Sequence, residues 1–390
     1  MPPSDPAAPP RLARVEAIHV RVPFRRPLLD ASGEFTHRRS WLLRVVDEAG
    51  NEGLGEAALN PFATDVTTGA LDRLIREIVP ELAAGRLPVW PELAAEGEPG
   101  RAAMAALDGA IAALRAAAGR ATAPAGATTS AGAAASAGAE TIPVCAVITF
   151  GGPHAGADAA AQAVELGFDT LKLRAGFERT TDQLVERLRA LRAAVGPEPR
   201  LRVDAGGAWD LETAAERIAA IEPSRIEYVE QPLAAWDIAG HAALRERVEV
   251  PIALDESIDS EGAARAALAE GAGDVLVVKP ARVGGLAATM RIVEAASAAG
   301  ALVVLGTYFE TGVGMAAVLR IAAAMGAGRT LEGPLAPEPA HGLATAGLLV
   351  HDLLAVPLPI VKGRMAVPTR VTLDEPEVDR YTLERFEARG

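Results

Sequence analysis

Apolar and polar residues follow two different periods along this chain. From Arg11 the period is two: Val15, Ala17, His19 and Arg21 alternate with Glu16, Ile18, Val20 and Val22. That is the signature of a β-strand. A turn-rich stretch, residues 23–36, follows. Residues 41–46 and 51–56 then flank Asp47-Glu48-Ala49-Gly50, which predicts a hairpin. The period next changes to that of a helix. Leu71, Leu74, Ile75, Ile78 and Leu82 fall on one face of a helix over residues 70–82, and the Ala-rich residues 101–118 predict a second. Together these elements make a small antiparallel sheet followed by helices, an α+β module.

Residues 120–140 are almost entirely Ala, Gly, Thr and Ser. Such a composition buries too little surface to order itself and reads as a flexible low-complexity segment, although alanine also permits the preceding helix to continue into it. Beyond Ile142 short apolar runs alternate with amphipathic stretches. The runs are residues 170–173, 200–203, 226–229, 251–254, 274–278 and 301–305; residues 181–194, 211–221 and 286–299 are helical. Residues 144–149 and 330–332 supply two more candidate strands. Eight βα units predict a closed parallel barrel. The alternative, a doubly wound open sheet, calls for a Gly-rich phosphate turn, which Phe150-Gly151-Gly152-Pro153 does not match.

Composition narrows the function. The 390 residues exceed one ordinary core, and half are apolar. The formal net charge of −13 argues against a nucleic-acid partner, which needs a basic face. A single cysteine, Cys145, excludes an internal disulfide framework and a cysteine-based zinc site. Residues 1–10, rich in Pro and Ala, read as a disordered tail with no secretory signal, and no apolar run is long enough for a membrane span. The expected address is the cytoplasm.

The chemistry lies where the strands end. Lys172 and Arg174 close one run, Asp204 the next, then Glu230, then Asp255 with Glu256, then Lys279. The steps from 204 to 230, 255 and 279 are 26, 25 and 24 residues, one βα unit each. In a barrel this sets them side by side around the C-terminal mouth, where active sites form. One charged residue after a strand is usually the start of a loop; five in successive units are a constellation. Asp204, Glu230 and Asp255 offer hard oxygen ligands suited to Mg²⁺. The flanking lysines are candidates for proton transfer, with pKa values expected to be lowered by each other and by the metal. His154, His341 and His351 are scattered, Trp90, Trp209 and Trp236 are expected to pack, Ser257 has no nucleophile context, and Gly284-Gly285 reads as a plain turn.

The strings Leu171-Lys172-Leu173-Arg174, Arg202-Val203-Asp204-Ala205, Tyr228-Val229-Glu230-Gln231-Pro232, Ala253-Leu254-Asp255-Glu256-Ser257 and Val278-Lys279-Pro280 with Gly284-Gly285 resemble the enolase superfamily. Within it they resemble the muconate-cycloisomerase subgroup, nearest to o-succinylbenzoate synthases and N-succinylamino acid racemases. The resemblance implies a modified (β/α)₇β TIM barrel with an α+β capping domain. The chain then divides into the tail 1–10, the cap 11–119, the segment 120–140, the catalytic barrel 141–356, and residues 357–390 returning to the cap.

The resemblance also implies roles. Asp204, Glu230 and Asp255 would hold Mg²⁺, with Mn²⁺ as a substitute. The metal would stabilise the enediolate formed when a proton leaves the carbon next to a small substrate's carboxylate. Lys279 matches the lysine on the opposite side of the barrel from Lys172. Arg26 and Glu310 fall in segments, residues 23–28 and 306–314, that resemble the substrate loops of o-succinylbenzoate synthases, and Arg282 resembles the succinylamino acid racemase branch; all three are candidate substrate contacts. The implied reaction is an o-succinylbenzoate synthase-like dehydration of the menaquinone pathway. The alternatives are a muconate cycloisomerase or a dipeptide or N-succinylamino acid epimerase, or a catalytically impaired homologue that binds metal or ligand. Members are often homo-oligomers. Two positions depart from the pattern: Arg174 replaces the second lysine of Lys-x-Lys, the usual base, and Gly206 replaces a common Asn. Arginine is effectively always charged and is a poor base.

Overall fold

The computed structural model describes residues 11–30, 33–88, 90–121, 140–148, 153–326 and 338–390. The tail 1–10, most of the low-complexity segment, the candidate strand 330–332 and the Phe150-Gly151-Gly152 turn lie outside them.

The cap begins with β1 (Leu12–Asp30), β2 (Gly33–Asp47) and β3 (Glu52–Ala57). Asp47 organises the second hairpin turn: its Oδ1 accepts from the backbone N–H groups of Ala49 and Asn51. The stretch expected to be turn-rich is instead mostly strand. The β1–β2 ladder runs to Pro23–His37, slips, and resumes at Leu28–Phe35. A register slip absorbs Pro23 and Pro27, which ladder hydrogen bonding cannot use. The helices are α1 (Asp65–Ala83), α2 (Trp90–Ala95) and α3 (Glu98–Ala121). The helix expected at residue 70 starts at Asp65 because Thr64 caps it, accepting from Thr67 N. Both faces of β1 are covered. Val15 and Ala17 pack under α1 and α3, while Ile18, Val20 and Val22 join Leu349, Leu353 and Leu354 on the other side.

The barrel follows with β4 (Thr141–Pro143), β5 (Ala146–Ile148), α4 (Pro153–Glu165), β6 (Thr170–Arg174), α5 (Thr181–Val195), β7 (Arg200–Asp204) and α6 (Leu211–Ile221). Then come β8 (Ile226–Glu230), α7 (Ile238–Arg245), β9 (Ile252–Leu254), α8 (Glu261–Ala269), β10 (Val275–Val278), α9 (Pro280–Val283), α10 (Leu286–Ala298), β11 (Leu302–Leu305) and α11 (Gly312–Met325). The chain ends with β12 (Ile360–Val361), β13 (Arg364–Ala366), α12 (Glu375–Tyr381) and β14 (Thr382–Arg389).

Strands β5 to β11 form one parallel sheet in sequence order. They coincide with seven of the apolar runs. Residues around His341 bridge the two ends of this sheet. Gly342 N donates to Leu305 O at 2.8 Å, His341 N to Pro143 O at 2.9 Å, and Cys145 N to His341 O at 2.9 Å. The His341 ring joins in, its Nδ1 accepting from Leu305 N at 2.9 Å. Burial, with Arg202 nearby, holds this histidine at about 3 and therefore neutral, as an accepting ring nitrogen requires. Inside the barrel Tyr228, Ala253, Val275, Val277, Leu302 and Val304 pack together, and the Arg202 guanidinium lies 4.6 Å from the Tyr228 ring.

The cap sheet has the order β14-β1-β2-β3. The cap meets the barrel at several polar joints. Glu56 of β3 accepts from Thr311 N, Thr311 Oγ1 and Gly314 N, which places a carboxylate on the N-terminus of α11. Arg101 of α3 donates to Arg282 O at 2.8 Å, and Asp108 of α3 accepts from Ala287 N.

Candidate active site

Three carboxylates stand on adjacent strands at one end of the barrel. Asp204 ends β7, Glu230 ends β8, and Asp255 follows β9; all are buried, and Glu230 is only 1 % exposed. Parallel pairing sets Asp204 beside Glu230 and Glu230 beside Ala253. Lys172, from β6, reaches across two strands: its Nζ is 2.8 Å from Glu230 Oε1 and 3.1 Å from Asp204 Oδ2. One ammonium thus touches both carboxylates. Lys279, just after β10, places Nζ 2.6 Å from each oxygen of Asp255. Arg174 donates from Nη1 to Asp204 Oδ1 at 2.6 Å.

The electrostatics follow from burial and crowding. Burial, with Asp204 and Asp255 alongside, pushes Glu230 up to about 8 although Lys172 opposes the shift. Burial and Asp255 push Glu256 up to about 6. Asp255 goes the other way: burial would raise it, but Lys279 and Arg282 outweigh burial and hold it below the usual carboxylate range. The expected lowering of the lysines is not what Lys172 shows. Burial does favour the neutral amine, yet Asp204 and Glu230 lift Lys172 well above its ordinary value.

This donor set fits a hard divalent cation. Three buried carboxylates share one corner, and Glu256 Oε2 is buried with no hydrogen-bond partner among the described residues. Lys172, Arg174 and Lys279 balance the acids, and among the described residues no group of three His, Cys, Asp or Glu side chains is gathered in ligand geometry.

The remaining sequence candidates sit around this cluster in different ways. Arg282 turns its guanidinium to the backbone, donating to Asp255 O at 3.1 Å and Glu256 O at 2.6 Å. Glu310 is buried, its Oε2 accepting from Tyr308 N at 2.6 Å, and Tyr308 in turn lies under Lys279, whose Nζ is 5.5 Å from the ring centroid. Arg26 is exposed on β1 where the ladder slips, and makes no ion pair among the described residues. Near Arg26 and Glu310 the cap meets the barrel: Phe24 and Phe35 of the cap contact each other, and Phe24 packs edge-on against Phe309 of the barrel. Trp209 is buried as expected, whereas Trp236 is 83 % exposed, in the loop after β8.

One supporting residue escaped sequence reasoning. Gln231 is fully buried at φ +42°; its Oε1 accepts from Asp255 N and Ser257 N, and its Nε2 donates to Ser257 Oγ and Leu233 O. It ties the loop after β8 to the loop that carries Asp255, and Ser257 is its partner rather than a nucleophile. The only signal was its place directly after Glu230.

A barrel whose strand ends carry this Lys–Asp–Glu–Asp–Lys order defines a class of enzyme, and comparison with known proteins agrees. Residues 155–375 match the family model described as Enolase C-terminal domain-like. The o-succinylbenzoate synthase of Thermobifida fusca is 39% identical over 240 residues, 60% of this chain and 69% of the relative. The N-succinylamino acid racemase of Amycolatopsis is 33% identical over 323 residues, 80% and 83% of the two chains. The dipeptide epimerase of Cytophaga hutchinsonii, solved with Mg and the dipeptide D-Ala-L-Val, superposes with a TM-score of 0.74 at 19% identity, covering 96% of this chain and 99% of that one. The chain belongs to the Enolase C-terminal domain-like family and is an enzyme of the enolase superfamily, a lyase or isomerase. Its fold is the one expected, a curled parallel sheet of seven strands with a separate antiparallel cap.

Proposed function

We propose that this enzyme removes a proton α to the carboxylate of a small-molecule acid, giving an enediolate, and then eliminates water in an o-succinylbenzoate synthase-like reaction. Asp204, Glu230 and Asp255 would hold Mg²⁺, or Mn²⁺ in its place. A bound divalent cation supplies positive charge where the carboxylate gains electron density. Lys279 would be the proton acceptor, as the neutral amine left once its ammonium has given up a proton and moved off Asp255. Lys172 holds Asp204 and Glu230 in place, and Arg174 is a fixed cation for a carboxylate oxygen.

The observation that carries this reading is the placing of Lys279, just after β10, against Arg174 on β6, with three strands between them in the sheet. A racemase or epimerase needs a base on each face of its substrate. Here one face offers a lysine and the other a guanidinium that holds its proton at neutral pH. That favours elimination over racemisation, with Lys279 taking over from the lysine that such synthases normally use. The 39% identical synthase supports the same choice. Arg174 also sustains a second reading, a relative that binds metal without turnover.

The test is α-proton exchange in deuterated water across succinylated, dipeptide and muconate-type acids. Lys279→Ala should abolish exchange while calorimetry still detects Mg²⁺ binding. Exchange by this variant at the wild-type rate would falsify the assignment of the base. Mg²⁺ binding by the wild type without exchange on any acid of the panel would favour the second reading.

A further inference from the structure

The two departures from the family pattern, Arg174 and Gly206, are in contact. Gly206 has φ +56° and lies two residues after Asp204. A Cβ built on it would stand 2.7 Å from Arg174 Cζ and Nη1, and nearer still to Nη2. No side chain at 206 is compatible with the guanidinium where it lies. That guanidinium donates to Asp204 Oδ1 at 2.6 Å, and the same oxygen accepts from Gly206 N at 3.1 Å. Arg174, Asp204 and Gly206 are therefore joined through one carboxylate oxygen. β6–β7 pairing sets Arg174 directly opposite Asp204, which fixes the approach.

We propose that Gly206 is the positioning residue for Arg174. Its bare Cα opens the slot in which the guanidinium lies flat against Asp204. The pair then acts as a single device that keeps a permanent positive charge beside the candidate divalent-cation site, on the face opposite Lys279. The proposal rests on the reading of Asp204 as a metal ligand. It explains why the glycine accompanies the arginine: a lysine at 174 is slim enough to leave room for a side chain at 206, whereas a planar guanidinium is not. It also assigns the device a consequence. A fixed cation hydrogen-bonded to a ligand oxygen competes with the metal for that carboxylate, so metal affinity is held lower than the three acids alone would give.

Gly206→Asn tests this cleanly, because asparagine tolerates the left-handed backbone and the substitution introduces the side chain without the full backbone penalty. Four proteins are compared: wild type, Gly206→Asn, Arg174→Ala and the double variant Arg174→Ala/Gly206→Asn. Two measurements are made on each, the melting temperature of the metal-free protein and Mg²⁺ affinity by calorimetry. Gly206→Asn is expected to lower the melting temperature and to tighten Mg²⁺ binding by about three- to ten-fold, as the displaced guanidinium releases Asp204. In the Arg174→Ala background the same substitution should leave both nearly unchanged, within about two-fold for affinity. Equal effects in the two backgrounds would overturn the proposal and leave Gly206 with a backbone role alone. Loss of Mg²⁺ binding in all four proteins would instead sink the metal-ligand reading, while the melting temperatures would still report the coupling. Arg174→Lys/Gly206→Asn adds a readout that a structural role would not move: α-proton exchange should gain a second basic limb in its pH profile, absent from wild type.

Discussion

Glu310 is 1 % exposed and carries its own pH signature. Burial and the nearby Glu56 push it up to about 7, against the pull of Arg38. The folded state therefore holds a proton that the unfolded chain releases near 4.5. The stabilisation is complete below that value and is lost as pH rises through about 7, a change of about 3 kcal/mol. Urea denaturation at several pH values should show this fall in wild type and a flatter curve in Glu310→Gln; parallel curves would assign the slope elsewhere. Arg38 faces the same cluster, 1 % exposed, with Nε and Nη2 lacking partners among the described residues. Arg38→Met should destabilise the fold by roughly 3–5 kcal/mol, since it removes the buried cation that faces this cluster; a change under about 1 kcal/mol would show that the guanidinium contributes little there. Neither role was legible in the sequence. Asp204, Glu230, Asp255 and Lys279 announced themselves because each interrupts an apolar run at a regular step. Arg38 sits in an ordinary strand, and its neighbours Glu56 and Glu310 come from the cap and the barrel.

At the scale of elements, periodicity placed seven barrel strands, because strands covered on both sides are short unbroken apolar runs. It failed where local chemistry and long-range pairing disagree. Pro23, Arg25, Arg26 and Pro27 read as a turn, yet β1 continues through them to Asp30 once the ladder with β2 has slipped. Thr64 moved the start of α1 five residues earlier than the apolar face suggested. The contact of α3 with β3 was hidden for a different reason: it depends on what is missing. A Cβ on Gly55 would run into the backbone carbonyl of Ala106, and one on Gly53 into that of Ala110. Because backbone cannot swing aside as a side chain can, Gly55→Ala should cost about 3 kcal/mol, the upper end for overpacking. The measurement is the denaturation midpoint at unchanged m-value. A shift worth less than about 1 kcal/mol would mean that α3 slides freely on the sheet.

For the whole molecule, a histidine that looked incidental joins the first and last strands of the parallel sheet. His341→Ala removes the acceptor of Leu305 N and leaves a small void. The expected loss is roughly 2–4 kcal/mol, with faster hydrogen exchange at Leu305 and Cys145 than at Leu276 in the middle of the sheet. Uniform acceleration across the sheet would show that the junction is no weaker than the rest. Sequence reasoning placed an eighth strand at residues 330–332, outside the described residues, and missed His341 because two residues' worth of pairing leaves no periodic trace. The cap sheet is completed from the other direction: β1, the earliest strand among the described residues, lies between β2 and the late strand β14. On a ribosome, every strand of the barrel is synthesised before β14 is. Throughout that interval one edge of β1 has no neighbour, and an unpaired edge is a template for other chains. Chains released after Arg370 should therefore hold a protease-resistant barrel, clump through β1, and be rescued by a peptide of residues 375–390; monomeric truncated chains would show that the nascent protein guards this edge in some other way.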